Sequence, residues 1–257
     1  MSLNFPHKPE VRLGKAPLDE VICQVKFSPI LRISKEPPSD FQEEIRDRFP
    51  GLRVEQGVIL QLPGVVGSEK PSVEASPRIY RFLTTDESSN VALAADFFAL
   101  STKHYIRWDD FVRDLDIAYK AIQKIYHPGY STRIGLRFIN RFARKNTSCK
   151  TYEQLLDLFR SELTCLIRTG AWKEPSEMLS QIILVDNKAK LALRTGYGKD
   201  KTEPFFVLDL DYFEEGQLPL DSLLRRVNRY HTRIYEAFRW CLLDDSLTRF
   251  EPLSQGA

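Results

Sequence analysis

An α+β fold, built from two successive β-α-β-β-β-α units whose strands form one curved antiparallel sheet with helices on one face, is predicted by three observations. Short β-rich runs and amphipathic helical runs follow one another in the same order twice. The second series trails the first by about 112 to 115 residues, the signature of an internal repeat. Each helical run carries one apolar stripe, which needs a sheet face to cover it. The first unit takes in residues 1–129 with a polar leader, and the second takes in residues 130–257. The two are expected to close into one compact pseudo-symmetric body.

After the leader, residues 20–27 (EVICQVKF) are rich in β-branched and apolar side chains and stop at Ser28-Pro29, the pattern of a strand. A helix is predicted from Asp40, with Ser39 or Asp40 as its cap. Phe41, Ile45 and Phe49 lie at helical spacing and Pro50-Gly51 forms its stop. Strands are predicted at 58–62, 79–84 and 91–100. Between the first two, residues 63–77 hold Gly, Ser and three prolines and read as a mobile loop. Residues 108–126 space Phe111, Leu115, Ala118, Ile122 and Ile125 as a long amphipathic helix closed by Pro128-Gly129.

The second series opens with a strand at 133–142 (RIGLRFINRF) and a helix at 152–166. Strands at 180–185, 190–197 and 204–213 follow. A long helix over 220–243 then carries Leu223, Leu224, Val227, Tyr230, Ile234 and Phe238 on its apolar side. Asp96-Phe97-Phe98 and Asp211-Tyr212-Phe213 echo one another in the last strand of each unit. The arrangement resembles the duplicated saddle of TATA-binding-protein-like and helix-grip folds, with a pseudo-two-fold between the halves; such a likeness concerns architecture alone.

Of the 257 residues, 42% are hydrophobic and 28% charged, with a formal net charge of only +2, so no global field selects a partner. Cys23, Cys149, Cys165 and Cys241 lie far apart, with no C-x-x-C and no histidine at ligand spacing. Neither a zinc site nor a redox pair is predicted. The opening residues MSLNFPHKPEVRLGK hold no apolar core of a signal peptide, and no stretch approaches the roughly 18 apolar residues of a membrane span. A reducing, cytoplasmic setting without membrane contact is therefore expected.

Read together, A-P-L-D-E-V-I-C-Q-V-K-F at 16–27, R-I-G-L-R-F-I-N-R-F at 133–142 and L-D-L-D-Y-F at 208–213 resemble a sporadically distributed prokaryotic family of uncharacterised proteins of this length. The resemblance spans nearly the whole chain. It implies no activity; patchy occurrence implies cargo of mobile elements, including anti-phage defence and toxin–antitoxin loci.

Alternation along 133–142 puts Arg133, Arg137 and Arg141 on one face with Gly135, and Ile134, Leu136, Phe138 and Phe142 on the other. Asn140 is a polar residue on the apolar side. Along 204–213, Asp209 and Asp211 share a face opposite Leu208, Leu210 and Tyr212. If the two strands are neighbours, the residues form Arg-Asp pairs that hold the sheet. Alternatively Arg133, Arg137, Asn140, Arg141, Asp209 and Asp211 line a cleft for an anionic ligand, or the aspartates act as an acid/base pair.

A second basic concentration comprises Arg144 and Lys145, and Arg225, Arg229 and Arg233 recur every fourth residue on the last helix, as a solvated face or a nucleic-acid contact. G-Y-G-K-D-K-T at 196–202 lacks the phosphate-loop spacing and reads as a hairpin turn. The four histidines are scattered and no nucleophile-elbow or zinc-protease motif occurs, so neither catalytic residues nor a cofactor is predicted. Trp108 and Trp240 should anchor the ends of the long helices, and Trp172 lies in a loop. Three functions are compatible with these residues. The first is a non-catalytic binding or adaptor protein with a protein partner encoded beside it. The second is a nucleic-acid-binding module, and the third an anion sensor or enzyme around Arg137 and Asp209.

Overall fold

Strict alternation along β1 (Leu18–Phe27) buries Val21, Cys23, Val25 and Phe27 on one side and leaves Ile22, Gln24 and Lys26 half-buried on the other. The computed structural model, which describes residues 2–56, 78–169 and 171–253, continues this division across a nine-stranded antiparallel sheet. Its other strands are β2 (Gly51–Gln56), β3 (Arg78–Leu83), β4 (Ser89–Ala94), β5 (Phe97–Thr102), β6 (Ser131–Ala143), β7 (Met178–Asp186), β8 (Ala189–Asp200) and β9 (Glu203–Leu218). The order across the sheet is β2-β3-β4-β5-β1-β6-β9-β8-β7, so β1 and β6 meet at the centre.

Two long helices, α3 (Trp108–Tyr126) and α7 (Leu223–Cys241), and five short ones pack on the side bearing Val21, Leu136 and Leu210. The short ones are α1 (Leu31–Lys35), α2 (Ser39–Ile45), α4 (Arg144–Thr147), α5 (Tyr152–Leu156) and α6 (Ser161–Thr164). Phe111, Leu115, Ala118 and Ile122 of α3, and Leu223, Val227, Tyr230 and Ile234 of α7, are buried in one continuous core. Trp108 opens α3, and its indole N–H donates to Asn228 of α7 at 2.7 Å, tying the two long helices together. The opposite, polar face of the sheet carries the charged alternates of β6, β8 and β9.

Several sequence-based boundaries need correction. Residues 91–100 are two strands, because Ala95 and Asp96 turn the chain; their carbonyls accept from Ile30 N at 2.7 Å and Phe27 N at 2.9 Å. Asp96 thus occupies a hairpin turn while Asp211 lies within β9, so the echo between the two triplets does not mark equivalent positions. The single helix predicted at 152–166 breaks into α5 and α6. Its backbone pairs instead with the end of α7, through Arg160 N to Cys241 O at 3.1 Å and Leu243 N to Leu158 O at 3.0 Å. Neither Ser39 nor Asp40 caps α2; the N-cap is Pro38, without a side-chain bond. The strand predicted at 58–62 and the loop at 63–77 lie outside the described residues.

The leader is ordered by specific bonds rather than left as a polar tail. Val11 N donates to the Tyr235 hydroxyl, which donates in turn to Pro9 O, both at 3.0 Å. Gly14 N reaches Glu251 O at 2.9 Å, and the Ser2 hydroxyl reaches Asp186 at 3.0 Å. This strap therefore lies across α7 and the last residues described.

Candidate functional site

β6 and β9 are neighbours, and their register puts Arg137 opposite Asp211 and Ile139 opposite Asp209. The guanidinium of Arg137 nevertheless leans diagonally to Asp209, with Nε to Oδ1 at 2.7 Å and Nη2 to Oδ2 at 2.6 Å, a bidentate fork. Arg133 reaches the other aspartate, its Nη2 at 3.0 Å from both oxygens of Asp211. Gly135 makes room for that reach, since a Cβ there would collide with the Arg133 guanidinium. Arg133 also lies over the Phe213 ring at 4.5 Å.

β8 adds a third cation that sequence reasoning missed. Arg194 stands opposite Asp209, with Nη1 to Oδ2 at 3.2 Å, and its Nη2 is 3.9 Å from Asp211. Its Nε donates to Gln181 of β7 at 2.6 Å. Alternation with Ala192 on β8, opposite buried Leu191 and Leu193, was the available signal. Three guanidiniums thus enclose two carboxylates that are only 5% and 9% exposed, for Asp209 and Asp211. Burial raises the pKa of Asp211 above the usual carboxylate value, opposed by Arg133 and Arg194. The bond to Asp209 holds Arg137 above its ordinary value.

The remaining predicted residues do not join this cluster. Arg141 lies over the Phe205 ring at 3.6 Å, with Asp200 at 3.9 Å. Asn140 faces the helices, and its amide donates to Leu208 O at 3.2 Å. Arg144 pairs with Glu203 at 3.2 Å, while Lys145 and Arg225 are exposed.

The helix stripe is not a solvated face throughout. Arg229 binds Glu214, and Arg233 binds Asp186 at 2.9 Å, Glu236 at 2.6 Å and Leu3 O at 2.6 Å. Burial alone would raise the Asp186 pKa, but bonds from Tyr212, Leu3 N, Arg233 and Ser2 hold it below the usual value. Glu214 on β9 and Asp186 on β7 are distant in sequence, so these two pairings are not revealed by spacing along one helix.

Among the described residues, no group of three or more His, Cys, Asp or Glu side chains is arranged to hold a metal ion. No helix among them is long and apolar enough to cross a membrane. Arg133, Arg137 and Arg194 with Asp209 and Asp211 form an ion-pair platform. Its arginine forks are filled from within the chain, so an external anion would have to displace a buried carboxylate.

The chain matches no protein-family model and no curated protein.

Proposed function

We propose that this protein is a non-catalytic binding protein that acts by engaging a partner protein along the β7 edge of its sheet. The observation that carries this reading is the character of β7. Among the described residues it is the last strand in the sheet, and Leu179, Ile183 and Val185 on its polar-face side are 82%, 54% and 56% exposed. Edge strands are usually protected by charge, proline or a bulge. MLSQIILVD has no lysine, arginine or proline, and its one acid, Asp186, is bonded inward to Tyr212 and Arg233. An extended partner segment with apolar residues at alternate positions would complete the ladder and cover these side chains.

The filled fork of Arg137 weighs against the anion cleft, and the pairing of Arg229 and Arg233 with the buried carboxylates Glu214 and Asp186 weighs against the nucleic-acid module. The same reading takes the two halves as copies of one unit, related by a TATA-binding-protein-like pseudo-two-fold. Supporting it, the order outward from β1 is β5, β4, β3 and outward from β6 is β9, β8, β7. The four unpaired cysteines support a cytoplasmic setting. The family resemblance adds a partner encoded at the same mobile or anti-phage defence locus.

The test is purification from the native host, followed by amide hydrogen exchange on the complex and on the free protein. A stoichiometric partner that protects 178–186 and is lost on Ile183→Lys is the expected result. A partner retained by that variant, or the same amides protected by a second copy of this chain, would overturn the reading.

A further inference from the structure

On the helix face, away from β7, the leader strap, α7 and the central strands enclose a cavity of about 330 Å³. Its body is apolar, walled by Leu13, Leu18, Ile106, Phe138, Ile234 and Phe238. Pockets near this size that bury a few convergent polar groups in an apolar wall are the usual form of a small-molecule site.

Three polar groups converge at one end. His231 is 8% exposed and stacks on Trp108, ring centroids 4.1 Å apart and planes 8° from parallel. Its Nε2 is 3.5 Å from the Tyr105 hydroxyl and 3.7 Å from Glu10 Oε1. Both separations are at or beyond the length of a well-formed hydrogen bond, so the trio retains capacity for another partner. Asn140, the polar residue on the apolar side of β6, lines the same cavity.

We infer that this cavity is a binding site for a small uncharged molecule with an apolar body and one hydroxyl or amide group, which the His231, Tyr105 and Glu10 trio orients. Charge is disfavoured on two grounds. On the strap, Glu10 and Arg12 line the cavity with opposite charges that leave its rim without a net preference for either sign, and the apolar walls would strip water from either ion without a buried counter-charge in return. Burial also pushes the His231 pKa down to about 4, so the imidazole is neutral near pH 7 and offers a hydrogen bond rather than a charge. The site does not rest on the partner reading.

The experiment uses benzyl alcohol, benzoate and benzylammonium as probes of the full chain, read by ligand-observed NMR. Benzyl alcohol is expected to bind with a millimolar Kd or tighter, the two ions at least tenfold more weakly. Tyr105→Phe, which keeps the ring, should weaken benzyl alcohol about fivefold, as loss of one neutral hydrogen bond predicts. Ala16→Trp, on an exposed strap position that lines the cavity, should abolish binding while circular dichroism stays unchanged. Absence of benzyl alcohol binding to the folded wild type overturns the inference, as does binding that both variants leave intact. Tighter binding of either ion overturns the ligand class.

Discussion

Arg137 grips Asp209 through two parallel bonds of 2.7 and 2.6 Å, although Asp211 is the residue directly across the ladder from it. The diagonal choice leaves Asp211 to Arg133 and lets Arg194 share Asp209, so each carboxylate has more than one cation in reach.

Shared partners should make single substitutions mild and the double one severe. Arg137→Ala, with a half-exposed side chain lost and Arg194 still at 3.2 Å from Asp209, should lower stability by about 1–2 kcal/mol in urea titration. Arg194→Ala should be milder. Together they strip Asp209 of both cations and should exceed the sum by about 1 kcal/mol or more. Simple additivity would mean the pairs act independently.

Gly135 is a second lever on the same cluster. Gly135→Ala should drive the Arg133 guanidinium off Asp211, at a cost of about 1 kcal/mol, since the collision involves the far end of a long side chain. Adding Arg133→Met to Gly135→Ala should relieve the collision, so that the alanine adds little further destabilisation in that background.

His231 sets a pH response. Its folded pKa of about 4 lies below the ordinary value of 6.5, so the unfolded chain takes up the proton first as pH falls. Stability present above pH 6.5 is therefore lost between about 6.5 and 4, by an amount on the order of 3 kcal/mol. Asp109 contributes an opposing attraction, and Glu10 Oε1 lies 3.7 Å from the ring Nε2. His231→Gln should flatten that segment of the stability profile, measured as Tm against pH.

Arg233→Ala separates a structural role from a nucleic-acid role. It leaves the carboxylates of Asp186 and Glu236 buried without their cation and should reduce stability by about 2–3 kcal/mol. Residual polynucleotide binding, measured by salt-dependent anisotropy, should not change with it. Arg225→Ala, at an exposed position, should alter neither.

Face assignment was legible because strand alternation is a local property: Arg133 and Arg137 stand opposite Ile134, Leu136 and Phe138, as their spacing implies. Who pairs with whom was not legible. The diagonal from Arg137 to Asp209 depends on register between strands far apart in sequence, and Arg194 entered from a third strand. The break at Leu158–Arg160 is not encoded locally for the same reason, since its bonds go to Cys241 and Leu243. The leader carried no periodicity at all, so its place over the cavity beside His231 follows from long-range contacts, among them those with α7 and residues 250–253.

The central position of β1 bears on how the chain reaches this state. Val21 pairs with Thr102 on one side and Phe138 on the other, so the first strand made is flanked only after most of the distant partners exist. Refolding should therefore be slow for a chain of this size, limited by closure of these long loops rather than by formation of α3 or α7. Until β6 arrives, the inner border of β1 is an open template, and strand exchange between molecules should begin there at high concentration.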